Sequence, residues 1–112
     1  MGDSTDLPGT IGATELSRRL ESGEPLQLVD IREPWEARIA SIEGSELIPL
    51  GQLLHSLERI RTDVPVVLYC HHGVRTQRAL ALLQARGYQN VEHLAGGIAS
   101  WTDLVDDGLA RY

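Results

Sequence analysis

The sequence holds one cysteine, Cys70, among its 112 residues. That excludes an intramolecular disulfide. A lone thiol fits a reducing compartment, so the protein is expected to be cytoplasmic. Phenylalanine is absent and aromatic residues make up only 4%, so Leu, Val, Ile and Ala must fill the core. No apolar run approaches the length of a membrane span, and the first residues lack the apolar stretch of a signal peptide. Asp6 stands where a myristoylation motif needs Ser or Thr. Basic residues are also scarce: 10 Lys and Arg face 16 Asp and Glu, for a net charge of −6. Nucleic acid is therefore a poor main partner, because phosphate contacts need a basic face. A small anionic substrate stays compatible with this charge, since a local pocket can be positive on an acidic protein.

What is present describes one soluble domain. Hydrophobic residues make up 42% and charged residues 23%, the balance of an ordinary globular chain. A chain of this length buries roughly two-thirds of its unfolded surface, enough for one core. Residues 1–9 (MGDSTDLPG) read as a flexible lead-in and residues 10–112 as the folded domain. Gly12 is placed to cap a first helix carrying Ala13, Leu16 and Leu20, which Gly23 ends. Leu26 to Ile31 reads as a buried strand presenting Asp30 and Arg32 at its end. Pro34 opens a short helix with Trp35 and Ile39. Leu47-Ile48-Pro49 reads as a short strand, and Leu53, Leu54, Leu57 and Ile60 predict a second long helix. Val64 to Tyr69 is the most apolar run and reads as a central strand. A helix with Ala79, Leu82 and Leu83 on one face follows, stopped by Gly87. Asn90 to Leu94 is a last strand, Gly96-Gly97 a turn, and Ile98, Trp101, Leu104 and Val105 a final helix. Strands alternating with helices predict an α/β three-layer fold around a mostly parallel sheet.

Cys70 falls where the central strand ends and a helix is about to begin. In open α/β sheets, ligands bind beyond the carboxyl ends of strands. The intervening Cys70-His71-His72-Gly73-Val74-Arg75 is short, with a glycine near its middle. Successive backbone amides there can curl around an anion. The helix dipole and Arg75 both favour thiolate over thiol. The loop thus describes a nucleophilic cysteine in an anion cradle, against the plainer alternative of a small buried hydrophobe at a strand end.

These residues resemble the rhodanese homology domain family. The likeness runs from about Thr10 to Tyr112. It rests on Asp30-Ile31-Arg32-Glu33-Pro34-Trp35-Glu36, Ile48-Pro49-Leu50, Cys70 to Thr76, Gly87-Tyr88, Leu94-Ala95-Gly96-Gly97-Ile98 and Trp101. Each piece is weak alone, and the ordered set is specific. The chain looks like small single-domain bacterial members, including the rhodanese modules appended to some ubiquitin-activating-like enzymes. The resemblance implies a central, mostly parallel five-stranded sheet flanked by helices, and a thiosulfate sulfurtransferase activity. The Cys70 thiolate would attack the outer sulfur of thiosulfate or a persulfide donor, and the Cys70 persulfide would hand sulfur to cyanide or a thiol. His71, His72, Gly73, Val74 and Arg75 would cradle the anion, with Asp30, Arg32 and Thr76 in support. Six residues from Cys70 to Arg75 are the sulfurtransferase spacing, whereas the phosphatase relatives carry seven, which argues against phosphatase or arsenate reductase activity. Ser41-Ile42-Glu43-Gly44 replaces the usual His-Ile-Pro-Gly, which predicts a local change in that connection without loss of chemistry.

Alternatives stand beside these readings. His71 and His72 do not make a metal site, because adjacent residues in a tight loop rarely converge on one ion. They are read as exposed loop side chains that supply amides, or as positioning a sulfur acceptor. Arg75 either faces water or attracts an anionic donor. Glu33 and Glu36 partly offset Arg32 and Arg38. Trp35 and Trp101 are read as packing anchors, and His55 and His93 as structural. No cofactor or metal is implied. The expected partners are a small sulfur donor and a thiol acceptor, or a sulfur-accepting protein; neither nucleic acid nor membrane is expected. A monomer is expected, with a dimer as the alternative. A competing reading from another class is a sulfur-carrier or interaction module with a dedicated protein partner.

Overall fold

A computed structural model describes residues 9–112. The lead-in expected over residues 1–9 therefore lies, apart from Gly9, outside the described residues. Gly9 itself is tied in, since its carbonyl accepts from the His93 amide at 2.8 Å. In chain order the elements are β1 (Thr10–Ile11), α1 (Ala13–Glu21), β2 (Gln27–Asp30), α2 (Pro34–Ile39), β3 (Glu46–Leu47), β4 (Val66–Tyr69), α3 (Arg75–Gln84), β5 (Val91–Leu94) and α4 (Gly97–Leu104). The five strands form one sheet in the order β1-β5-β4-β2-β3. Every pairing is parallel.

The strand alternation sorts the core into two layers. On one face Val66, Leu68 and Cys70 pack with Val29, Ile31 and Val91 against Ala79, Leu80 and Leu83 of α3. On the other face Val67 and Tyr69 join Leu28 and Leu94 against Leu16 of α1 and Ile98 and Trp101 of α4. All four residues of β4 are fully buried, as expected for the strand in the middle of the sheet. Each contributes roughly 1.5–3 kcal/mol of hydrophobic stabilisation.

Two expectations are corrected. The second long helix is instead a pair of 3-10 turns, Leu50–His55 and Leu57–Arg59. Gly51 disfavours a helix interior, and Ser56 breaks the run at φ −129° and ψ 30°. Short i→i+3 bonds, such as the Ile60 amide to the Leu57 carbonyl at 3.0 Å, hold the segment. Leu53 and Ile60 still reach the core, because a three-residue turn also returns side chains to one face. The other correction is Trp35, which is 54% exposed and anchors no core, whereas Trp101 is buried as expected. The connection at Ser41 to Ser45 is held by Tyr69, whose hydroxyl accepts from the Ile42 amide at 3.1 Å and lies 2.8 Å from the Ser45 hydroxyl.

Candidate functional site

Cys70 leaves β4 pointing to the α3 side of the sheet and is 1% exposed. Two features shape the turn that follows. Gly73 has φ of 91°, a left-handed conformation that glycine adopts without cost. Its amide donates to Cys70 Sγ at 3.2 Å. Gly97 also has positive φ, and a Cβ there would collide with the carbonyl oxygens of Cys70 and His71. This close approach lets the first turn of α4 donate to the loop. The Ile98 amide reaches the Cys70 carbonyl at 2.9 Å and the Ala99 amide the His71 carbonyl at 3.0 Å. With those carbonyls turned toward α4, the Gly73 N–H is aimed at the sulfur.

Thr76, in the first turn of α3, is fully buried with its hydroxyl 3.8 Å from Sγ. The same hydroxyl lies 2.8 Å from Nδ1 of His93, a buried residue of β5. Burial alone pushes the His93 imidazole below its ordinary value.

Asp30 and Arg32 form a buried bidentate pair. Arg32 Nη2 donates to Asp30 Oδ2 and Nε to Oδ1, both at 2.8 Å. Arg32 also donates to the Ala40 carbonyl at 2.7 Å and to the Tyr112 hydroxyl at 2.8 Å. The Tyr112 hydroxyl donates to Glu36 Oε2 at 2.8 Å. Glu36 in turn receives both guanidinium arms of Arg75, at 2.7 and 2.8 Å. Asp30 and Arg32 thus connect to the loop indirectly, through Tyr112 and Glu36. The Arg75 hydrogen bonds hold the Glu36 carboxyl down at about 2. Burial pushes the Tyr112 phenol up to about 12.

The arrangement revises two sequence readings. Arg75 neither faces water freely nor stands as a bare cation, because Glu36 engages it. The expected offset of Arg32 and Arg38 by Glu33 and Glu36 gives way to defined pairs, Arg32 with Asp30 and Arg75 with Glu36. His72 and Val74 are exposed, as loop side chains should be. His71 is half-buried and stacked, with its ring 3.8 Å from those of Tyr112 and His72. Burial, with His72 beside it, lowers the His71 imidazole from its ordinary value. Among the described residues no three His, Cys, Asp or Glu side chains gather as a metal-ligand set, and no helix is long and apolar enough to cross a membrane.

Sequence reasoning missed Tyr112 at the site, which carries no motif and sits far along the chain from Cys70. His93, read as structural, is buried with its ring on the Thr76 hydroxyl. The period-two alternation of β5 held the signal, since it places His93 on the same face as Val91, toward α3.

A parallel sheet with a cysteine at the end of its central strand, its sulfur met by a glycine amide in the turn before a helix, defines a class of α/β domains with a thiol at the carboxyl edge of the sheet. The rhodanese-like domain profile matches residues 12–104, and the chain belongs to that family. It is 39% identical over 106 residues to the probable adenylyltransferase/sulfurtransferase MoeZ of Mycobacterium tuberculosis, covering 92% of this chain but only 27% of that protein. It is 37% identical over 91 residues to a sulfurtransferase of Allochromatium vinosum, covering 81% of this chain and 85% of the relative. Among solved structures, a rhodanese-related protein from Thermoplasma volcanium superposes with a TM-score of 0.77 at 29% identity, over 89% of this chain and 93% of that one.

Proposed function

We propose that the protein is a sulfurtransferase that carries sulfane sulfur as a persulfide on Cys70. The observation that carries this reading is the Gly73 amide on Sγ at 3.2 Å, within the six residues from Cys70 to Arg75 that lead from the end of β4 into the first residue of α3. The thiolate attacks the outer sulfur of thiosulfate, the S–S bond to the sulfite group breaks, and sulfite leaves with the bonding pair. The persulfide then bears its charge on the outer sulfur, where the loop amides of residues 71–75 stabilise it. An acceptor thiolate attacks that outer sulfur and regenerates the Cys70 thiolate, so no net oxidant is needed. A cradle of this size suits a single sulfur better than a tetrahedral phosphate. Intact mass after incubation with thiosulfate tests the reading. A gain of about 32 Da that dithiothreitol removes and that Cys70→Ser lacks supports it; no gain with thiosulfate or with persulfide donors overturns it.

A second reading, a sulfur carrier that serves a protein partner, is favoured by the rim of the site. Val74 is 72% and Trp35 54% exposed. Trp35 stands edge-on to Tyr112, which stacks on His71. Exposed apolar groups beside a nucleophile suit a protein acceptor. Slow turnover with small thiols despite full persulfide loading distinguishes this reading.

A further inference from the structure

We propose that His93 is a positioning residue for Cys70, and that its ring receives through the Thr76 hydroxyl the proton that Cys70 gives up. The inference rests on Cys70 being the working thiol. The three groups form a buried line from β4 across α3 to β5: Sγ to Thr76 Oγ1 at 3.8 Å, and Oγ1 to His93 Nδ1 at 2.8 Å.

A threonine hydroxyl has one proton and several acceptor sites. It cannot donate to sulfur and to nitrogen at once. While Cys70 is a thiol, S–H points to Thr76 Oγ1 and the Thr76 proton points to Nδ1, so His93 carries its proton on Nε2. When Cys70 ionises, the S–H bond breaks and its proton goes to Oγ1. The former Thr76 proton goes to Nδ1. The line is then reversed, with Nδ1–H donating to Oγ1 and O–H donating to the thiolate. The ring sheds its Nε2 proton to water and ends neutral, as a buried imidazole with no charged partner should. Nε2 has a route for that proton. It bonds no other described residue, and His93 keeps 8% of its surface open to solvent.

The surroundings leave His93 little else to answer to. Across the sheet it pairs with Thr10 of β1 and Leu68 of β4, neither of them titratable. On the α3 side it meets Thr76. Cys70 has Arg75 near it, already held by Glu36 of α2, with His71 next in the chain. A purely structural bond between α3 and β5 would keep His93 in one tautomer whatever the state of Cys70.

That difference is the test. Nitrogen NMR of the His93 ring is followed against pH in the wild type and in Cys70→Ala. The expected result is a change from Nε2–H to Nδ1–H in the wild type that tracks Cys70 ionisation and is missing in Cys70→Ala. Alongside it, alkylation of Cys70 by iodoacetamide is measured across pH in Thr76→Val, Thr76→Ser and His93→Gln. Thr76→Val and His93→Gln should move the pH midpoint up by about one unit, a tenfold slower reaction below it, and Thr76→Ser should not. A wild-type tautomer that ignores Cys70, or a Thr76→Val profile that superposes on the wild type, overturns the proposal. Should His93→Gln not fold, the Thr76 pair and the wild-type NMR still decide. Iodoacetamide needs no sulfur donor, so failure of the relay is separable from failure of the persulfide chemistry.

Discussion

Arg32 reaches the candidate site only through its partners, Tyr112 and Glu36. It is fully buried with Asp30 beside it. A buried pair adds little over apolar packing, but removing one partner strands the other charge at a cost of about 3–5 kcal/mol. Arg32→Leu should therefore lower stability by that amount in urea unfolding. Arg32→Leu combined with Asp30→Asn should recover a large part of the loss, and a double variant no better than the single one would show that the charge is not the cause. Tyr112→Phe removes only the hydroxyl between Arg32 and Glu36. It should cost about 1–3 kcal/mol, the penalty for leaving hydrogen-bonding groups unmatched, and it is read from the same unfolding curves. The sequence pointed to Cys70, the loop glycine, Asp30 and Arg32 because each belongs to a local string. It did not point to Tyr112 or to the Arg75–Glu36 pair, because those contacts join segments whose approach is set only by the finished fold.

Among the elements, α4 holds the Cys70 loop directly. Its first turn gives two amides to the carbonyls of Cys70 and His71, which only a glycine at position 97 permits. Gly97→Ala forces a Cβ against those carbonyls in a positive-φ conformation. It should destabilise by more than the roughly 1 kcal/mol of an ordinary glycine replacement, and persulfide loading should fall more steeply than stability. Loading retained in a destabilised Gly97→Ala protein would separate loop shape from the α4 contact. The sequence marked Gly96-Gly97 as a turn but carried no sign of what the turn approaches. The same limit explains the segment after Pro49. Its leucines recur at a spacing that serves both α and 3-10 turns, and Gly51 and Ser56 settled the matter locally. β1 escaped notice because two residues, one of them polar, show no period at all.

For the molecule as a whole, acid is the condition that tests its electrostatics. The Glu36 carboxyl falls from its ordinary 4.5 to about 2 because Arg75 binds the charged form. A carboxyl depressed by folding stabilises the protein above its unfolded value. That contribution is lost as pH falls from about 4.5 toward 2. Glu36→Gln should be less stable than the wild type at pH 7, and the gap should narrow through that window. Urea midpoints at pH 7, 4.5 and 3 measure it; a gap independent of pH would mean that Glu36 acts through shape alone.

The topology also governs when Cys70 becomes protected. Each strand of the sheet pairs with a neighbour distant in sequence, and no hairpin can form early. β4 is enclosed only once β2 has arrived on one side and β5 on the other, and β5 comes late in the chain. Protection of the thiol thus needs both neighbours of β4 in place, and a thiol reagent added at successive delays during refolding becomes a clock for completion of the sheet. The same interval is when two unfinished chains could oxidise together, so a single buried cysteine makes the speed of folding part of the protein's redox chemistry.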